Sequence, residues 1–214
     1  MKFKEYNLEG FLEDLASSSP APGGGSTAAL VGALAGALNS MVYSLTVGKK
    51  SFEELTEENK NKMMRLHEST KRFIDQSMIF MEKDREEFNS LMASFKLPKE
   101  TEEEKKIRSL EIKNRTISAM HAPYDFAVDA LAFYRNIEFA VEYGNKNLIS
   151  DAGVAAILLH AAIESAIINV KINYVSIKQE SEAKDILNLC SEIYEKSSAY
   201  KQEITKKVEK AILG

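Results

Sequence analysis

TAALVGALAGALNSMVYSLTV, residues 27–47, decides the fold. It holds no charged residue, and its apolar and small side chains run round every face of a helix. A helix that is apolar all round needs neighbours on every side. The segment is long enough to cross a bilayer. Its hydrophobicity comes largely from Ala and Gly, however, and Asn39, Ser40, Ser44 and Thr46 interrupt it. It reads as a core helix of a soluble protein. Ala28, Gly32, Gly36 and Ser40 recur every four residues and make a flat stripe that lets another helix approach closely. In a chain of this size, one such neighbour is expected from a second subunit.

Working outward, SSSPAPGGG at 17–25 is the clearest loop, and residues 7–16 form a short helix before it. Residues 57–95 carry apolar positions at steps of three and four, which predicts a long helix ending at Leu97-Pro98. Thr101 and Glu104 make a capping box for the next helix. Pro123 is expected to break or kink that helix after Ala122. The pattern resumes through Phe126, Ala130, Phe133, Ile137 and Val141 until Gly144 stops it. Ser150 or Asp151 caps an apolar helix to about residue 176, and a charged amphipathic helix covers 181–213. INVKINYVSI at 168–177 is rich in β-branched residues and is the one ambiguous stretch. No segment alternates with period two. The expectation is an all-α, single-domain bundle of six or seven helices spanning 1–214, completed by homodimerisation.

The chain has 214 residues, with 28 Lys and Arg against 32 Asp and Glu, a net charge of −4. This balance gives no reason to expect nucleic acid or an anionic membrane as partner. A lone Cys190 excludes an intrachain disulfide and a Cys-rich zinc site. His67, His121 and His160 lie far apart. His160 and Glu164 are spaced to ligate together, but no third ligand is in view, so no metal site is expected. MKFKEYNLEG lacks a signal peptide's apolar core and cleavage site, and a cytoplasmic location is expected.

Chemistry must then come from carboxylates, amides and bare backbone. PAPGGGS at 20–26 places three glycines before a helix N-terminus, which makes either an anion or carbonyl site or simply a tight turn. It is neither a Walker A loop nor a dinucleotide fingerprint. Asp84 sits in the stripe Ile74, Ser77, Met81, Asp84, Phe88, Leu91, Phe95, all on one helix face. A carboxylate on a buried face is either ion-paired or raised in pKa, as in active sites. In GNKNLISDAGVAA (144–156), Asn145, Ser150 and Asp151 form a polar turn in which Asp151 serves as an N-cap or in chemistry. Asn169 and Asn173 share a face in an apolar stretch, and buried amides need partners. Asp151 and Asn169 lie five turns, about 27 Å, apart along one straight helix. They serve different sites, or two subunits complete each site. Ser26 has no evident His partner, which argues against a hydrolase triad.

PAPGGGSTAALVGALAGAL, MVYSLTVGKK, DREEFNSLMASFKLPK, Ala122-Pro123, GNKNLISDAGVAA and NVKIN follow one another in order. This set resembles the cyclodeaminase/cyclohydrolase family of folate enzymes over residues 11–177. The family includes the deaminase domain of formiminotransferase-cyclodeaminase and free-standing methenyltetrahydrofolate cyclohydrolases. The free-standing form is expected here. The resemblance implies an all-helical homodimer acting on a tetrahydrofolate derivative, with no cofactor beyond that substrate. Formimidoyltetrahydrofolate cyclodeaminase is the leading reading and methenyltetrahydrofolate cyclohydrolase the alternative. A helical binding or assembly module without activity is the reading from another class. The resemblance makes Asp84 the first choice as general base or cation stabiliser and Asp151 the second. Glu87 stands where the family's D-x-E-A-F segment has Ala, which places a further carboxylate beside Asp84. Pro22, Gly23, Gly24, Gly25 and Ser26 would hold the pterin or a carboxylate through backbone amides. Asn145 and Ser150 match the polar turn, and Asn169 and Asn173 would hydrogen-bond the pterin edge. Ser44 stands where many members have Asn and takes no role.

Overall fold

A computed structural model describes residues 2–214. Seven helices follow in order: α1 (Leu8–Leu15), α2 (Gly24–Ser44), α3 (Lys50–Glu53), α4 (Glu57–Ser94), α5 (Glu102–Tyr143), α6 (Ile149–Ile177) and α7 (Ser181–Leu213). Short 3-10 turns lie at Phe3–Glu5 and Lys146–Leu148, and the described residues contain no strand. The ambiguous stretch at 168–177 is helical, because its β-branched side chains sit within a long buried helix that overrides their local preference.

Local signals set most boundaries. The Asn7 side chain accepts from the Gly10 amide at 2.7 Å and starts α1. Thr56 caps α4, and the Thr101–Glu104 box that starts α5 is complete. Three boundaries differ from expectation. Helix α2 begins at Gly24, two residues before Ser26, and ends at Ser44. The short α3 opens at Lys50. Helix α6 is capped by Leu148, so Asp151 lies inside its first turn, where a carboxylate suits the helix dipole.

Helices α2, α4, α5 and α6 pack as a ring in which α2 touches α4 and α6, and α5 touches the same two. Helix α7 covers the α5–α6 side through Ile186, Cys190, Ile193, Ile204 and Val208. Both α2 and α6 are long and apolar enough to cross a membrane, but about half of each such window is buried inside the fold.

The glycines of the small-residue stripe of α2 pack within the chain. A Cβ on Gly32 would lie 2.6 Å from Phe126 Cζ, and one on Gly36 would lie 2.8 Å from Ile74 Cγ1. The flat face is spent within the chain, where it lets α2 sink between α4 and α5. The outward face of α2 is instead Leu30, Val31, Leu34, Leu38, Met41 and Leu45, with Leu34 half exposed.

Pro123 does not break α5, which runs unbroken through it. A proline at this position leaves the carbonyl four residues back, that of Ala119, without its helical donor. The Asn173 side-chain amide on α6 donates to that carbonyl at 3.2 Å. An orphaned acceptor is thus satisfied from the neighbouring helix, and the proline is tolerated.

Candidate active site

The N-terminus of α2 leaves backbone N–H groups free, and its cap residue, Gly23, offers no side chain to receive them. Asp84 on α4 reaches this position. Its Oδ2 accepts from Ser26 Oγ at 2.9 Å, and the carboxylate also takes a backbone hydrogen bond from Ser26. The approach is so close that a Cβ on Gly25 would lie 2.0 Å from Asp84 Oδ1. The amides of the glycine segment were expected to hold a substrate group. The structure shows that the chain's own carboxylate takes the Ser26 amide.

Burial pushes the Asp84 carboxyl above its usual value, and the two Ser26 hydrogen bonds offset part of that rise. No cation is near enough to count among the causes. Asp129 and Glu138 are also raised by partial burial. Neither lines the cleft beside Asp84. Asp84 combines a raised pKa with a place in the cleft at the α2 N-terminus.

That pocket is a cleft of about 440 Å³. Pro20, Ala21 and Gly23–Gly25 form one edge, and Asn169, Ile172, Asn173, Val175 and Ser176 of α6 form another. Phe88, Leu91, Met92 and Phe95 line its α4 wall, and Arg85 is the one cation among the lining residues. Arg85 is held by Glu82 at 2.5 Å and by the Phe3 ring, 4.6 Å from its guanidinium carbon. Glu82 in turn accepts the Phe3 amide, which ties the N-terminal turn to the cleft. Sequence reading missed this wall. Phe88, Leu91 and Phe95 belong to the same stripe that located Asp84, but an apolar stripe looks the same whether it meets a helix or a ligand.

Asn169 stands against Gly24, where a Cβ would lie 3.2 Å from its Nδ2, and donates to Ser165 O at 2.8 Å. Asn173 spends Nδ2 on Ala119 O and on Asn169 O, the latter at 3.0 Å. Only its Oδ1 remains to face a ligand. Asn173→Ala is therefore expected to cost about 1–3 kcal/mol of stability, the usual range for orphaning a buried acceptor. The cost should shrink in a Pro123→Ala background, where the residue 123 amide can serve Ala119 O. Thermal unfolding of the four proteins in this cycle checks it.

The remaining expected residues lie elsewhere. The Asn145 amide donates to Thr46 Oγ1 at 2.8 Å, which fixes the 145–151 turn to the C-terminal end of α2. Helix α2 has 21 residues, so Asn145, Ser150 and Asp151 sit about 30 Å from Asp84 in the same chain. Pro22, Gly23, Gly24, Gly25, Ser26, Asp84, Asn169 and Asn173 come together, and those three do not join them. His160 lies apart from this cleft, with its Nδ1 paired with Ser197 Oγ at 2.8 Å.

Fold and site define an all-helical protein built around a buried carboxylate at a helix N-terminus. The chain belongs to the formiminotransferase-cyclodeaminase family, whose model matches residues 7–192. It is 34% identical to the methenyltetrahydrofolate cyclohydrolase of Methylorubrum extorquens, over 96% of this chain and 97% of that protein. It is 30% identical to the formimidoyltransferase-cyclodeaminase of Gallus gallus over 89% of this chain, which spans 34% of that longer protein. A crystal structure of formiminotetrahydrofolate cyclodeaminase from Thermotoga maritima has the same fold, with a TM-score of 0.77 and 29% identity over 97% of this chain and 96% of that one.

Proposed function

We propose that this chain is a folate one-carbon enzyme that works on the carbon carried by N5 and N10 of tetrahydrofolate, with Asp84 as the proton-transferring group. The observation that carries this reading is a buried carboxylate, raised in pKa, at the floor of a cleft with amide edges and an aromatic wall. A carboxylate held above its usual pKa can take a proton and return it, and as an anion it stabilises a cationic carbon centre. No cofactor beyond the folate substrate is assigned.

The leading reaction is cyclodeamination. N10 attacks the protonated formimino carbon on N5, and Asp84 takes the N10 proton. The same proton passes to the nitrogen that leaves as ammonia, and the 5,10-methenyl cation remains. The fold shared with the Thermotoga protein supports this order of preference. The Methylorubrum relative supports a second reading, cyclohydrolysis. Asp84 then takes a proton from water attacking the methenyl carbon and returns it to N5 as the C–N5 bond opens, and the remaining hydroxyl proton is released to solvent, giving the 10-formyl product. The two are separated by ultraviolet absorbance of the methenyl group, which appears from the formimino substrate in one case and disappears in the other. No change with either substrate, and no folate binding by calorimetry, would overturn the reading in favour of a binding module.

The reading includes a cytoplasmic homodimer. The outward stripe of α2 adjoins that of α6, which exposes Val154, Ile157, Ile168, Ile172 and Val175. Two copies packed antiparallel on these stripes would bring one protomer's Asp151 end towards its partner's Asp84 cleft. That arrangement gives Asn145, Ser150 and Asp151 a place in the site that their own chain denies them. Light scattering is expected to give twice the chain mass at micromolar concentration, and Leu34→Glu is expected to give the monomer. Monomeric wild type would refute it.

A further inference from the structure

Ser26 has one hydroxyl proton and two acceptors. Its Oγ lies 2.9 Å from Asp84 Oδ2 and 3.1 Å from the Met81 carbonyl oxygen, one turn earlier on α4. The residue is fully buried, so solvent does not compete for that proton. We propose that Ser26 is a positioning residue whose hydroxyl swings between these two acceptors, so that Asp84 keeps a hydrogen-bond partner in both of its protonation states. The inference rests on Asp84 being the proton-transferring group and adds how its two states are kept in balance.

When Asp84 is ionised, the Ser26 hydroxyl donates to Oδ2 in a charge-assisted bond. When Asp84 takes a proton, the carboxylic O–H becomes a donor and needs an acceptor. Ser26 Oγ is that acceptor, and its own proton turns to Met81 O, since a carbonyl has a second lone pair beyond its helical bond. No covalent bond of Ser26 changes and its proton stays on Oγ. The proton that moves is the one exchanged between Asp84 and the substrate. A fixed donor, such as the Ser26 backbone N–H that also reaches the carboxylate, favours the ionised state. The hydroxyl can partner either state, so the protonated acid also has an acceptor beside it.

The surroundings leave this pair to set the balance. Helix α2 contributes no charged residue, α5 presents Ala122 and Pro123, and α6 presents Ala166 and Asn169. On α4 itself, Arg85 is paired with Glu82, and Lys83 is paired with Asp125 at 2.8 Å.

The test is a difference infrared titration of the folate-free protein, with Asp84→Asn identifying the Asp84 carboxyl band. In the wild type the protonated acid is expected at the lowered C=O frequency of a hydrogen-bond donor. Ser26→Ala is expected to shift the band upwards, and Ser26→Thr to return it. In steady-state kinetics, Ser26→Ala is expected to lower kcat by about ten- to a hundredfold, leave KM within about twofold, and move the acidic limb of the profile to higher pH, because ionised Asp84 loses a donor. A wild-type band at the free-acid frequency overturns the inference without any variant. So does a Ser26→Ala protein with an unmoved band or wild-type kcat. If the wild type turns over neither folate substrate, the infrared result still decides on Ser26 while the proposed function falls alone.

Discussion

Asp84→Asn is expected to lower kcat by about 10²–10⁴-fold while leaving the fold intact. The amide has the same shape, so its carbonyl can still accept from Ser26, but it neither takes a proton nor carries charge. Stability should move the other way. Burial raises the Asp84 pKa in the folded protein above its unfolded value, so the folded state holds its proton more tightly. A group shifted in this direction makes the folded state less stable as pH rises through that pKa. The ionised carboxylate is therefore a cost at neutral pH, and Asp84→Asn should unfold no lower than the wild type. The wild-type rate should fall as pH drops through an apparent pKa above the ordinary carboxylate range. A near-wild-type rate in the variant would place the base elsewhere, with Asp151 of a partner subunit the next residue to test.

Gly25→Ala is expected to be nearly as damaging to activity and, unlike Asp84→Asn, to cost about 1–3 kcal/mol of stability as overpacking. The added methyl would stand 2.0 Å from Asp84 Oδ1 and 2.5 Å from its Cγ. The carboxylate must leave the α2 N-terminus to make room, and with it go both Ser26 hydrogen bonds. Gly23→Ala is the control. Its Cβ meets nothing within 4 Å and its φ of −133° is ordinary, so stability should stay within about 0.5 kcal/mol. An Asp84→Ala background should relieve most of the Gly25→Ala stability loss, since the atoms it strikes are gone. Thermal unfolding with the four proteins of that cycle isolates the contact. A Gly25→Ala enzyme with full rate would show that Asp84 works from some other position.

Asn173 shows how a residue can be legible while its partner is not. In sequence it is an amide in an apolar helix, which calls for a partner, either a ligand or another helix. In the fold its amide hydrogens answer the carbonyl that Pro123 orphans 50 residues earlier, and its contribution to the cleft shrinks to one oxygen. Pro123 does not break α5 for the same reason, because a local rule predicts a break or kink without knowing that a donor arrives from another helix. The Gly32–Gly36 stripe was read as a close-packing face, and the fold sets it against Phe126 of α5 and Ile74 of α4.

The sequence by itself determined that the chain is helical, where most helices begin, that Asp84 lies on a buried face, and that Asp151 cannot share a straight helix face with Asn169 at one site. These properties depend on periodicity, caps and rise per residue, which act over a few residues and are written locally. Only the tertiary structure decided that the glycine amides meet Asp84, that Ser26 stands between two acceptors, that Asn173 repairs the proline, and that the outward stripe of α2 is the leucine face. Each depends on which helix lies opposite and how far it is rotated. That is settled by packing the whole ring of helices together, a balance of many contacts that no single segment carries.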